Sequence, residues 1–139
     1  MITAVGGRPG RRVIRVVFMM VGLCVAGCAE QEGPPRYNLS GAVTFSGKPV
    51  VAGEITFAPD SSQANKGPGS YAVIQDGRYE TYPGKGIVGG PHLVTIIGYD
   101  QPLAGEGSGK ETLPLFPPYE TTVDLPKQDS TFDFNVPAR

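Results

Sequence analysis

From residue 37 to residue 136, apolar and polar positions alternate in short runs, the period of strands with one buried face. In "YNLSGAVTF" (37–45), Tyr37, Leu39, Val43 and Phe45 share one face, while Asn38, Ser40 and Thr44 take the other. Gly41 interrupts the apolar row, which points to a bulge or to the close approach of another backbone. Residues 46–49, "SGKP", read as a turn. The next strand, "VAGEITFAP" (51–59), sets Val51, Gly53, Ile55 and Phe57 inward and Glu54 and Thr56 outward. A polar loop (60–69) leads to "SYAVIQ" (70–75). Asp76-Gly77 then predicts a tight hairpin, because both central residues must tolerate positive φ. "RYETY" (78–82) returns as its partner. After a glycine-rich crossing (83–91) comes "HLVTIIGY" (92–99), apolar on both faces and expected to be central. Beyond a loop at 100–118, "TTVDL" (121–125) and "STFDFNV" (130–136) read as a C-terminal hairpin, with Phe132, Phe134 and Val136 inward.

These seven runs contain no helical period longer than a turn or two. Seven short strands in about 100 residues, with a turn between each, predict an all-β fold, a single seven-stranded β-sandwich at 37–136. A small barrel is the alternative. Composition agrees: Gly 20, Pro 14 and no Trp in 139 residues suit many tight turns, and 18% charged residues is too few for a disordered chain.

The first 27 residues have a different layout. Arg8, Arg11, Arg12 and Arg15 form a basic zone, an apolar run follows from Val16 to about Val25, and small residues close the segment. That is the layout of a secretory signal, and the apolar run is short for a bilayer span. Residues 25–28, "VAGC", resemble the lipobox of bacterial lipoproteins. The resemblance implies cleavage between Gly27 and Cys28, a diacylglyceryl group on the Cys28 sulfur, and a fatty acyl chain such as palmitate on the new amino terminus. Two or three acyl chains anchor a protein stably, whereas one does so marginally. Cys24 would leave with the signal peptide, and the mature chain would keep no free thiol. Ala29, where an acidic residue would favour the inner membrane, leans towards the outer membrane. Residues 28–36 then read as a lipidated cysteine and a tether, extended at Pro34-Pro35.

Removing residues 1–27 also changes the charge. From Cys28 onward there are 8 Lys and Arg against 13 Asp and Glu, a balance of −5. A chain without a basic face does not release counterions from a phosphate backbone, so nucleic acid is excluded as a partner.

The stretches "LSGAVTFSGKPVVAGEITFAP", "DGRYET" and "GGPHLVTI", with the closing "STFDFNV" and the proline-flanked "LPLFPPY", resemble the carboxypeptidase regulatory-like domain of the transthyretin-like, or prealbumin-like, class. They are similar to the versions carried by small planctomycete-type lipoproteins. The resemblance covers nearly all of the mature chain. It implies the sandwich fold and no activity, since such domains accompany peptidases, adhesins and transporters without performing their chemistry.

Searching the residues for chemistry leads to the same place. His92 is the one histidine, and on alternation it faces inward with Val94 and Ile96, as a structural histidine rather than the base of a triad with Asp100 and a serine. One histidine and no thiol give no transition-metal site. Asp124, Asp129 and Asp133, or Asp76 and Glu80, lack the spacing of a calcium loop. "GEGSGKET" (105–112) has no strand and helix around it to make a phosphate loop. No cofactor is expected. Tyr82, Tyr99, Phe116 and Tyr119 lie in or beside loops, where aromatic rings either plug the ends of a sandwich or stack on sugars. The expectation is therefore a non-catalytic, lipid-anchored module of the cell envelope, contacting an envelope protein. The alternative is a module that binds polysaccharide through the loop aromatics.

Overall fold

The computed structural model describes residues 33–102 and 111–138, together with Gly6. Residues 33–138 belong to one compact unit, and the described part of it is all-β. Its strands are β1 (Leu39–Phe45), β2 (Lys48–Pro49), β3 (Ala52–Pro59), β4 (Ser70–Gln75), β5 (Arg78–Glu80), β6 (Gly90–Tyr99), β7 (Tyr119–Leu125), β8 (Ser130–Thr131) and β9 (Phe134–Val136). No α-helix occurs among the described residues, and a single 3-10 turn spans Ser61–Gln63. Asp60 caps that turn. Hydrogen bonds from the side chains of Ser62 and Gln63 hold its carboxyl below the ordinary carboxylate range.

The strands form one curled sheet in the order β2-β1-β5-β4-β3-β6-β7, with β8 and β9 also pairing with β1. Neighbours along the main path are antiparallel, and β8 and β9 run parallel to β1. The curl brings β9 over β3, where Phe57 and Phe134 pack with ring centroids 6.2 Å apart. Tyr79 meets both rings, at 5.8 and 5.9 Å. Around them lie Leu39, Val43, Ile55, Ile74, Val94 and Ile96, all fully buried. Burying a ring such as Phe57 contributes about 1.5–3 kcal/mol.

Local geometry follows the turn chemistry. Asp76 (φ 50) and Gly77 (φ 76) both lie in the left-handed region, closing a two-residue loop between Gln75 and its partner Arg78. Within the expected turn at 46–49, only Ser46 and Gly47 form the loop, so Lys48 and Pro49 pair back on β1 as the extra strand β2. β6 lies between β3 and β7, the interior position its two apolar faces predict.

Two further expectations differ from the structure. Val51 is exposed and Val50 is fully buried. The carbonyls of Val50 and Val51 accept from the amides of Gly77 and Asp76, and β3 starts only at Ala52, with Ala52 and Gly53 buried in succession. One extra residue at the strand entrance slips the alternation. The expected C-terminal hairpin is also absent: β7 pairs with β6, and the last segment pairs instead with β1 as two short strands.

The division of that last segment explains Gly41. A Cβ at Gly41 would lie 1.9 Å from the Phe132 carbonyl oxygen. The backbone between β8 and β9 bulges against β1 here, and only glycine leaves room. Gly41→Ala is expected to destabilise the protein by about 1–3 kcal/mol, read as a lower midpoint in urea with the slope unchanged. A midpoint within error of the unsubstituted protein would show that the two backbones separate freely.

Candidate functional site

Three groups of side chains were candidates for chemistry. His92 is 1% exposed, and its Nδ1 donates to the Gly90 carbonyl at 2.8 Å. A carbonyl only accepts, so the proton sits on Nδ1. The ring is packed in the buried row with Val94 and Ile96.

The aspartates serve as backbone staples. Asp129 Oδ1 accepts from the Asn38 amide at 2.8 Å, and Asp133 Oδ1 accepts from the Ala42 amide at 2.8 Å. The two carboxylates thus take amides from β1 and from the residue just before it, beside the short parallel ladders that β8 and β9 make. Between them, Tyr79 Oη donates to the Phe132 carbonyl at 2.6 Å. Burial, and secondarily the nearby Asp133 carboxylate, push the Tyr79 phenol far above its ordinary range. Among the described residues no three His, Cys, Asp or Glu side chains converge to hold a metal ion.

The aromatic candidates separate. Phe116 is buried against Phe45, with ring centroids 4.9 Å apart, and lies under Gly98. Tyr119 is half-buried beside it, in a small recess of about 210 Å³ that Leu115 and Val136 also line. Tyr99 is half-buried on β6, opposite Pro114. These three belong to one end of the sheet. Tyr82 belongs to the other end and is 44% exposed. Beside it stands Tyr71 of β4, 53% exposed, with ring centroids 5.5 Å apart and planes inclined at 56°. Tyr71 was not singled out from the sequence. The signal was the alternation of 70–75, which puts Tyr71 on the face opposite Ala72 and Ile74.

Tyr82 borders an open cleft of about 550 Å³ on the outer face of β1, β5 and β4, whose walls also include Ser40, Gln75, Arg78 and Glu80. Cys28, the expected lipidation site, and Gly27, where cleavage is expected, lie outside the described residues. No described helix is long and apolar enough to cross a membrane.

Comparison with protein-family models, with curated proteins and with solved structures finds no match.

Tyr79→Phe tests the staple. It leaves the Phe132 carbonyl short of a donor at a cost of about 1–2 kcal/mol. Because the folded phenol titrates far above the unfolded one, Tyr79 leaves stability flat below pH 10 and lowers it as pH rises further. Tyr79→Phe is expected to shallow that alkaline decline, measured by urea unfolding from pH 8 to 11. An unaltered slope would mean that Tyr79 ionises freely in the folded protein.

Proposed function

We propose that the chain is an exported lipoprotein, anchored through Cys28 in the cell envelope and in the outer membrane in particular. In this reading it displays a transthyretin-like β-sandwich of the carboxypeptidase regulatory-like type and acts as a non-catalytic protein-interaction module. The curled sheet and the buried contact of Phe57 with Phe134 support the sandwich.

One observation carries the interaction reading. β7 is seven residues long and, among the described residues, pairs on one side only, with β6. A strand edge of this length offers a row of backbone donors and acceptors to an added strand. Glu120, Thr122 and Asp124 are exposed at alternate positions along it. In an antiparallel self-pair centred on Thr122, Glu120 would face Asp124, and like charges opposite each other are destabilising. The edge favours an extended segment of another protein with basic residues four positions apart.

A photo-crosslinking side chain at Thr122, in native cells, should give a discrete adduct. Glu120→Lys with Asp124→Lys should abolish it, and so should Cys28→Ala, which releases the protein from the membrane. Crosslinking no richer at Thr122 than at the exposed Glu54 on the outer face would refute the edge as the contact.

A further inference from the structure

We infer that the end of the domain from which the tether leaves sits against the lipid surface that holds Cys28, with Tyr71 and Tyr82 at headgroup level. This rests on the proposed lipidation of Cys28. It adds an orientation and a second, lipid-facing contact surface to that reading.

The tether enters the fold under tight control. Arg36 Nε donates to the Gly86 carbonyl at 2.8 Å, and Nη2 donates to the carbonyls of Gly69 and Lys85 at 2.7 and 3.1 Å. Tyr37 then exchanges backbone hydrogen bonds with Ile87, at 2.7 and 2.9 Å. Chain exit is therefore fixed against two loops, the one before β4 and the one after β5. The aromatic pair sits beside those loops: Tyr71 is the second residue of β4, two beyond Gly69, and Tyr82 lies in the loop after β5, where the Lys85 amide donates to its carbonyl at 2.9 Å. Only five peptide links separate Cys28 from Gly33. Whatever path they take, they span no more than about 18 Å. An anchored Cys28 keeps this end of the domain close to the bilayer.

The side chains at this end suit that position. Register places Thr56 opposite both Tyr71 and Thr95, and Ala58 opposite Leu93, so Tyr71 and Leu93 share the outer face. Leu93 is 42% exposed, and with Tyr71 and Tyr82 it makes an apolar border along the tether end. Tyrosine, with an apolar ring and a hydroxyl that stays wet, partitions to the membrane interface. Lys66, Lys85 and Lys127 are exposed at the same end and can reach lipid phosphates. The acids there are Asp60, bonded to the Ser62 amide, exposed Asp129, which accepts from the Asn38 amide, and exposed Glu80 and Asp124. Among the described residues the opposite end carries exposed Asp76, Asp100, Glu111 and Glu120 against Lys48 and Arg78, the wrong balance for an anionic surface.

The chain has no tryptophan, so a single substitution installs a lone reporter. Full-length lipoprotein carrying Tyr82→Trp, or Leu113→Trp at the opposite end, is reconstituted into phosphatidylcholine–phosphatidylglycerol vesicles containing brominated lipid. Quenching at Tyr82→Trp should exceed that at Leu113→Trp at least twofold, with a blue-shifted emission. Tyr71→Trp should behave like Tyr82→Trp, and adding Lys66→Glu and Lys85→Glu should bring quenching down to the Leu113→Trp level. Equal quenching of the two reporters in lipidated protein overturns the seating and leaves the anchor intact. Protein recovered from native cells without lipid on Cys28, by intact mass, overturns both. A Tyr82→Trp shift on adding soluble polysaccharide, with no quenching by brominated lipid, also overturns the seating and assigns the rings to sugar.

Discussion

The fold depends on one close approach, the Phe132 carbonyl against the bare Cα of Gly41. Because Gly41 has no side chain, the segment from Ser130 to Val136 can lie along β1, pair with it twice and bulge between the two pairings. The bulge puts the Phe132 oxygen where Tyr79 donates to it and the Asp133 carboxylate where the Ala42 amide needs an acceptor. It also aims Phe134 at Phe57, so the closing strand completes the core. A side chain at position 41 would disturb all of these contacts together, since neighbouring contacts of this kind are not independent.

The same arrangement bears on the proposed anchoring through the amino-terminal side. β1 is the first strand after the tether. Ser40 pairs with both Glu80 and Thr131, and Thr44 with both Pro49 and Asn135, so β1 is hydrogen-bonded along both edges. If the chain is anchored as proposed, tension on it would meet Arg36 and its three carbonyl partners first, then a strand paired on two sides. In the proposed reading, this doubly paired end holds the domain, and the β7 edge, unpaired on its outer side among the described residues, is the part that binds.

Features with a local cause could be read from the chain. Asp76-Gly77 specifies its turn because few residue pairs accept positive φ at both positions. His92 follows the inward row of Val94 and Ile96, and β6 is interior because both its faces are apolar. Gly41 marked a close approach, although the approaching backbone could not be named. Features set by distant partners could not be read. Phe132, Phe134 and Val136 alternate in the same way whether the strand joins β7 or β1, so the parallel docking left no trace in the period. A single extra residue at Val50 and Val51 reversed which valine faces the core. Of the aromatic candidates, Tyr82 stands in the open, whereas Phe116 packs on Phe45 and Tyr99 and Tyr119 are half-buried. Tyr71 is its partner only because β4 and β5 are adjacent.

Amide hydrogen exchange tests most directly whether the closing segment is integral to the fold. If β1 and β9 are locked together through Gly41, the amides of Ala42, Val43 and Phe134 exchange only by global unfolding, with the same free energy as Ile55 and Ile96 in the sheet centre. If Ala42 and Phe134 instead exchange roughly a hundredfold faster than Ile55, the last segment opens on its own and the sheet stands without it.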